Sequence, residues 1–168
     1  DDLKFAKDSS LAMAKVLEQK GHRVYCSEVS HLSWLSTETS PSSLCQKMSF
    51  SSGEQKPSLE PPKLTPLTDF HTIQVRKEPP VDFSYFAMTY ILEAVEDKVK
   101  IHNSPKALRD FNEKLAIFKV SPWAIPSLVS QCENEVFDFI EQKCQSDFII
   151  KPLPFFGGQG VKRFSWSP

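Results

Sequence analysis

Residues 70–118, FHTIQVRKEPPVDFSYFAMTYILEAVEDKVKIHNSPKALRDFNEKLAIF, decide the fold class of this chain. The apolar and β-branched side chains of residues 71–75 predict a buried strand. Asp82 is an N-cap residue for the helix that follows, and the apolar residues of this helix recur at spacings of three and four. The face expected to pack on the sheet holds Phe83, Phe86, Ala87, Tyr90, Ile91, Ala94 and Val95.

A second strand and helix follow within the same segment. Residues 99–102 predict a short strand, and Ser104 and Pro105 are suited to the N-cap and first position of a helix that fades near Phe118. Strand and helix therefore alternate with short links. This order predicts a doubly wound α/β domain.

The N-terminal residues predict a helix and then a strand. Asp8 or Ser9 can cap the helix, and Lys20 and Gly21 end it, with a cation in the last turn and a glycine just beyond. Its expected apolar face holds Leu11, Ala14, Val16 and Leu17, and residues 22–29 predict the strand. Because an α/β sheet usually begins with a strand, we expect the first strand of the domain to be missing from this chain.

Residues 36–66 are rich in serine, proline, threonine and glutamine, and contain few apolar side chains to offset the entropy of ordering. We expect a long, partly mobile excursion, with at most one short strand around Met48 and Phe50. A proline-rich recognition segment is the functional alternative, although such segments are more often spacers.

A change of pattern near Ser121 predicts a domain boundary there, with an extended stretch at 123–129. Residues 133–143 predict an amphipathic helix that directs Val136, Phe137 and Ile140 inward. Residues 148–150 predict a buried strand that ends at Lys151, and a turn containing Gly157, Gly158 and Gly160 leads to a return strand at 161–164. So few elements make an incomplete second domain.

This strand and turn allow two interpretations. The backbone N–H groups of a glycine turn can surround a phosphate, and Lys151 would supply a cation beside it. The alternative is an ordinary β-hairpin with a solvated Lys151, and on these residues alone the hairpin is favoured.

Arg76 is the second candidate, because it directly follows a predicted strand. Ligands of open α/β sheets gather beyond the carboxyl ends of the strands, and Pro79 and Pro80 stiffen the adjoining turn. The guanidinium could take a substrate carboxylate in bidentate fashion. Pairing with local acids such as Glu78 or Asp82 is the alternative.

Composition narrows the classes of function. The 168 residues carry a net charge of −1 with 24% charged residues, which argues against nucleic acid as the partner. No apolar run approaches the ~20 residues that span a bilayer, so we expect no membrane segment. The four cysteines form no CxxC pair and no zinc spacing, and are expected to be reduced thiols of a cytoplasmic protein.

Five groups of motifs stand out along the chain. They are KDSS with AM (residues 7–10, 12–13), RKEPP (76–80), TYILE (89–93), LRD with NEKL (108–110, 112–115) and IKPL with GG (150–153, 157–158). Taken together, they resemble the bacterial glutathione synthetases, in the family order and at nearly the family spacing, residues 36–66 excepted.

The resemblance implies an ATP-grasp ligase. Residues 1–120 would form the N-terminal Rossmann-like, pre-ATP-grasp substrate domain, and residues 121–168 the beginning of the ATP-grasp domain. Lys114 and Lys151 match the two family lysines that contact ATP phosphates, and Gly157, Gly158 and Gly160 match the glycine-rich loop that folds over them. Arg76 matches a position near the dipeptide substrate. The Mg²⁺ ligands of the family are expected beyond Pro168.

The implied reaction joins γ-glutamylcysteine and glycine into glutathione through an acyl phosphate, at the expense of ATP. We expect residues 1–168 to be inactive alone, and the family implies a homo-oligomer. Two alternatives stay open: another ATP-grasp carboxylate–amine ligase, against which RKEPP and LRDFNEKL argue, and a truncated, non-catalytic binding module.

Overall fold

The computed structural model describes residues 8–51, 56–120, 122, 125–144, 147–155 and 157–166. The α-helices in these ranges are α1 (Ser9–Gln19), α2 (Phe83–Glu93), α3 (Pro105–Asp110) and α4 (Glu133–Lys143). The strands are β1 (Val24–Cys26), β2 (Leu32–Ser33), β3 (Ser42–Ser49), β4 (Ser58–Leu59), β5 (Lys63–Pro66), β6 (Thr72–Gln74), β7 (Lys100–His102), β8 (Asp147–Ile150) and β9 (Lys162–Ser165). Short 3₁₀ helices cover Val29–His31, Leu67–Asp69 and Ala116–Lys119. The mixed α/β class is thus confirmed.

Two compact units divide the chain. The first holds the residues up to Glu78 together with Asp82–Arg109, and the second holds Pro79–Val81 and the residues from Asp110 onward. The boundary predicted at Ser121 lies outside the described residues, so the division at 120/121 stays a prediction. None of the described helices is long and apolar enough to cross a membrane.

Helix α1 begins and ends as its sequence predicts. The Asp8 carboxylate accepts hydrogen bonds from the N–H groups of Ser10 and Leu11, and Gly21 takes the left-handed conformation (φ +86°) after the C-cap Lys20. Leu11 and Ala14 are buried against Met48 of β3, whereas Val16, also predicted to point inward, is 49% exposed. Lys7 lies outside the described residues.

Three strands of a five-stranded antiparallel sheet, β3, β4 and β5, lie in the serine- and proline-rich segment. Strand β3 pairs with β1 and β2, and also with β4 and β5. The expectation of an excursion with at most one short strand was therefore wrong for the described part of residues 36–66. The reason is that the polar side chains are paired: the Ser27 and Ser43 hydroxyls lie 2.6 Å apart, and Ser27 Oγ donates to the Leu44 carbonyl.

Strands β6 and β7 form the predicted strand–helix–strand unit. They pair in parallel through Thr72↔Lys100, Ile73↔Ile101 and Gln74↔His102, and α2 is the crossover between them. The main core cluster lies here and consists of Leu67, Val75, Tyr85, Met88, Leu92, Val95 and Val99.

The buried face of α2 differs from the predicted one. Asp82 is the N-cap as expected, and its carboxylate accepts the Tyr85 N–H. The helix, however, buries Tyr85, Met88, Thr89 and Leu92. Phe83 and Tyr90, predicted to face the sheet, are 86% and 60% exposed. Because nearly the whole circumference of α2 is apolar, its periodicity fits more than one face.

The helix predicted from Ser104 to near Phe118 is interrupted. Helix α3 ends at Asp110, and a 3₁₀ helix begins only at Ala116. Between them the Asn112 side-chain oxygen accepts the N–H groups of Lys114 and Leu115. A side chain that bonds nearby backbone in this way competes with helix continuation.

In the second unit, α4 has the predicted bounds, and β8 and β9 form the predicted hairpin. Ile140 is buried, but Phe137 is 53% exposed, so its predicted inward direction was wrong. Strand β8 is also not the buried strand expected, since Ile149 and Ile150 are exposed. Trp123, at the start of the predicted extended stretch, lies outside the described residues, and residues 125–132 have no regular structure.

Candidate functional site

Arg76 lies at the N-terminus of α1, within the first unit. Its Nε donates to Ser10 Oγ at 3.2 Å, and its Nη2 donates to Ser9 Oγ at 2.5 Å. β6 ends two residues earlier, and the Val75 N–H is bonded to the His102 carbonyl. Arg76 thus follows a parallel strand, as the sequence predicted.

The partners of Arg76 leave its charge available to an anion. Both hydrogen bonds described for it go to neutral hydroxyls, and the Asp82 carboxylate is engaged as the cap of α2. The Asp8 carboxylate caps α1 close by and offsets part of the positive potential of the helix N-terminus. An incoming carboxylate would therefore depend on Arg76 itself more than on the helix dipole.

Lys114 lies in the second unit, against the residues that precede the glycine turn. Its ammonium donates to the carbonyl oxygens of Leu153 (3.3 Å) and Phe155, and to Glu113 Oε1 at 3.1 Å. Only 16% of the lysine side chain is exposed, whereas its Glu113 partner is 68% exposed. A charged, mostly covered side chain held by backbone carbonyls is an unusual environment for a helix-flanking lysine.

The glycine turn requires glycine on conformational grounds. Gly157, Gly158 and Gly160 have φ values of +58°, +79° and +68°. At Gly160 a side chain is also excluded by space, since a Cβ would lie 2.9 Å from Pro152 Cγ and 3.1 Å from Phe155 Cδ2. The turn therefore folds back against the residues that lead into it.

Lys151 directly follows β8 and is exposed. Of the residues predicted from the sequence, the structure gathers Lys114, the residues after Lys151 and the glycine turn in one unit. Arg76 belongs to the other unit and forms its own cluster with Ser9 and Ser10. Nothing in the described residues joins His, Cys, Asp or Glu into a group of three that could hold a metal.

The paired strands beside the turn carry an ion pair that the sequence analysis did not single out. Asp147 of β8 accepts from the Arg163 guanidinium and, at 2.8 Å, from Ser165 Oγ, both on β9. The bond from Arg163, followed by that from Ser165, lowers the pKa of Asp147 below its ordinary value of 3.8.

Asn112 was also missed, although its sequence carries a signal. An Asn two residues before Lys114 is typical of a turn in which the side chain accepts backbone N–H groups. The bond from the Lys114 N–H to Asn112 Oδ1 is 2.9 Å. Asn112 therefore fixes the backbone from which Lys114 projects.

Comparison with known proteins gives a consistent family. The sequence profile described as "Prokaryotic glutathione synthetase, N-terminal domain" matches residues 1–109. The chain is 32% identical to a glutathione synthetase of Nitrosomonas europaea over 97% of the chain and 51% of that protein. It is also 32% identical to one of Ralstonia nicotianae, over 95% of the chain and 49% of that protein. The chain thus spans about half the length of the curated relatives it matches.

Proposed function

The chain belongs to the prokaryotic glutathione synthetase family, and from this premise we propose that it is the N-terminal portion of an ATP-dependent ligase that joins γ-glutamylcysteine and glycine. The observation that carries the proposal is the covered ammonium of Lys114, held beside a turn of three left-handed glycines. Charge and a glycine backbone at one place are what a phosphate requires.

The finer fold assignment belongs to the same proposal. We assign residues 1–120 to a Rossmann-like, pre-ATP-grasp domain, because β6, α2 and β7 form a parallel crossover unit. We assign residues 121–168 to the start of an ATP-grasp domain, because the helix and the hairpin in the described part of this range are too few elements for a complete core.

Lys114 and Lys151 are the proposed phosphate-binding cations. Both lie in the second unit, the first beside the residues that lead into the turn and the second at the end of β8. Two cations suit phosphoryl transfer because they neutralise the charge on the phosphoryl oxygens. Gly157, Gly158 and Gly160 would let the backbone approach those oxygens closely.

Arg76 is the proposed ligand of the dipeptide. Its guanidinium has five N–H donors and gives one each to Ser9 and Ser10, so the others can bond a substrate carboxylate in shorter and stronger charge-assisted bonds. Ser9 and Ser10 would then orient the guanidinium from behind.

In the proposed reaction the cysteinyl carboxylate receives the γ-phosphoryl group of ATP, and ADP leaves. The glycine amine then attacks the acyl carbon and expels phosphate, forming the new amide. Since water would hydrolyse the acyl phosphate, the glycine turn would serve to cover the site. Mg²⁺ would supply charge neutralisation. The described residues offer no ligand group for it, and none is assigned.

Two further properties follow from the family as proposals. ATP and a reduced thiol substrate both point to the cytoplasm. Self-association is also proposed, and the exposed Phe83 and Tyr90 of α2 would supply apolar surface for it. Sedimentation equilibrium of the purified chain would measure the mass.

Calorimetric titration of the purified chain with ATP and Mg²⁺ tests the nucleotide proposal. We expect Lys114→Met and Lys151→Met each to weaken ATP binding about tenfold, the value of a lost charge-assisted contact. Lys119→Met is the matched control, because it removes another ammonium of the same unit, one that bonds the Asp110 carbonyl. Equal ATP affinity in all four proteins would contradict the nucleotide assignment.

Titration with γ-glutamylcysteine tests Arg76 separately. Arg76→Met should weaken binding of the dipeptide and leave the affinity for ATP unchanged. Equal affinity of the wild type and the variant for the dipeptide would contradict the assignment of Arg76.

A further inference from the structure

The contacts of Lys114 define a second role for this side chain. It bonds Leu153 and Phe155, and residues 153–155 form a connector between Lys151–Pro152 and the glycine turn. Two of its three acceptors are backbone carbonyls of this connector, Leu153 O and Phe155 O. The third is the carboxylate of Glu113. An ammonium has three N–H donors, so these three acceptors account for all of them.

Hydrogen bonds fix the backbone from which the Lys114 ammonium reaches the connector. Asn112 Oδ1 accepts the N–H of Lys114 at 2.9 Å, and the Asn112 carbonyl accepts the N–H of Ala116, also at 2.9 Å. The backbone around Lys114 is therefore held independently of its side chain. In this bonded arrangement 84% of the side chain is covered, so few other rotamers are open to it.

The connector in turn supports the glycine turn. Gly160 lies so close to Pro152 and Phe155 that a Cβ would reach 2.9 Å and 3.1 Å from their rings. The Val161 N–H closes the turn on the Gly158 carbonyl at 3.2 Å. What holds the connector therefore also holds the turn.

We propose that Lys114 is the positioning residue of the glycine turn: its ammonium fixes the connector through the carbonyls of Leu153 and Phe155. The inference rests on the proposed function only in so far as that turn is to cover a nucleotide. The contacts between Lys114 and the connector involve the polypeptide alone, so they can be tested without ATP.

Limited digestion of the whole chain with chymotrypsin measures the hold on the connector. Chymotrypsin cleaves after exposed aromatic side chains, and Phe155 is 48% exposed. The bond after Leu153 resists the protease, because Pro154 follows it. Lys114→Met keeps the aliphatic length but removes the ammonium. It should raise the rate of cleavage after Phe155 about tenfold, because cleavage follows the population of the opened segment.

Lys114→Arg is the rescue variant and should stay near the wild-type rate, since a guanidinium also donates to carbonyls. Lys119→Met should leave the rate unchanged. Gly160→Ala should open the connector from its other side and raise cleavage. Gly157→Ala, at the same kind of φ but with open space around its Cβ, should raise it less.

Cleavage of Lys114→Met at the wild-type rate would overturn the proposal, and so would a failure of Lys114→Arg to restore protection while far-UV circular dichroism is unchanged. The ATP titration separates the two ideas. Faster cleavage of Lys114→Met together with an affinity for ATP equal to that of the wild type supports the positioning role and removes the nucleotide role. If Lys114→Met weakens ATP binding but is cleaved at the wild-type rate, the nucleotide role is supported and the positioning role is removed.

Discussion

Arg76 and Lys114 are both cations that bond neutral oxygen atoms. Arg76 donates to two serine hydroxyls, and Lys114 donates to two backbone carbonyls. Neutral acceptors fix the direction of a cation without cancelling its charge, whereas a buried carboxylate partner would do both. In the part of the chain that the structure describes, the single carboxylate paired with Lys114 is that of Glu113, which is 68% exposed. The charge of both side chains therefore remains largely uncancelled, and Lys114 would bond a phosphate by releasing one of its three acceptors.

Asp147 provides a test at the scale of one residue. Its pKa is lowered in the folded chain, first by the bond from Arg163, so its carboxylate stabilises the hairpin at pH values above the unfolded pKa. We predict that this contribution is lost as the pH falls below 3.8 and through the folded pKa of Asp147. An NMR titration that follows the stacked rings of Phe148 and Phe164 would detect the loosening of the strands.

Asp147→Asn is the matched variant, because it keeps the size of the side chain and removes the titrating group. Its ring signals should not change over the same acid range. A side-chain titration of Asp147 at or above 3.8 in the wild type would contradict the prediction, as would an equal pH dependence in the variant.

The ends of helices that carry strong local sequence signals could be predicted closely. The Asp8 and Asp82 caps and the Gly21 stop fix helix ends through local hydrogen bonds and backbone conformation, which depend little on the rest of the chain. The buried face of α2 could not be predicted. Thr89 is fully buried there with its hydroxyl bonded to the Phe86 carbonyl, while Tyr90 faces outward. Which face of α2 turns inward depends on its packing against β6, β7 and the neighbouring loops. The periodicity of the helix sequence carries no information about that packing.

The strands within residues 36–66 could not be predicted from the sequence, for a related reason. β3 buries Ser43 and Cys45 in its first half and Met48 in its second, so no single apolar alternation marks it as a strand. Its stability comes from pairing with four other strands, which are distant in sequence. In the candidate site, Lys114 and the glycines could be identified from motifs, but the contact between Lys114 and the connector spans 39 to 41 residues and has no local signal.

The contact between α2 and α3 supplies a prediction at the scale of elements. Arg109 of α3 donates to Thr89 Oγ1 at 3.1 Å and to Glu93 Oε2 at 2.6 Å, and its guanidinium lies 4.6 Å from the centre of the Tyr90 ring. Only 15% of the Arg109 side chain is exposed. We predict that Arg109→Met lowers the free energy of unfolding by about 1–2 kcal/mol, measured by urea denaturation.

Glu93→Gln is the control for this prediction. Glu93 is 41% exposed, so its charge is partly screened and its loss should cost less, within about 1 kcal/mol. An equal loss in both variants would mean that the ion pair alone accounts for the stabilisation. The bond to Thr89 and the ring contact would then contribute nothing.

At the scale of the whole molecule, buried apolar side chains are unevenly distributed. Eleven of the twelve buried hydrophobic residues identified in the described ranges lie in the first unit, and Ile140 is the twelfth. The second unit instead exposes large apolar side chains such as Ile125, Phe137 and Ile149. Since burial of apolar surface is the main stabilising term in folding, the two units should differ in local stability.

We predict that amide hydrogens of α4, β8 and β9 exchange roughly tenfold or more faster than those of β3 and α2, a difference of about 1.4 kcal/mol in the free energy of opening. A two-stranded hairpin is marginally stable by itself, and α4 has Ile140 as its only described fully buried apolar side chain. Hydrogen exchange read by mass spectrometry resolves these segments.

Ile140→Ala should accelerate exchange in α4 further, because removal of a buried Ile costs about 2–5 kcal/mol. Phe137→Ala on the same helix should have little effect, since that ring is 53% exposed. Protection of α4 equal to that of α2 would contradict the argument, because it would require stabilising burial that the described side chains do not provide.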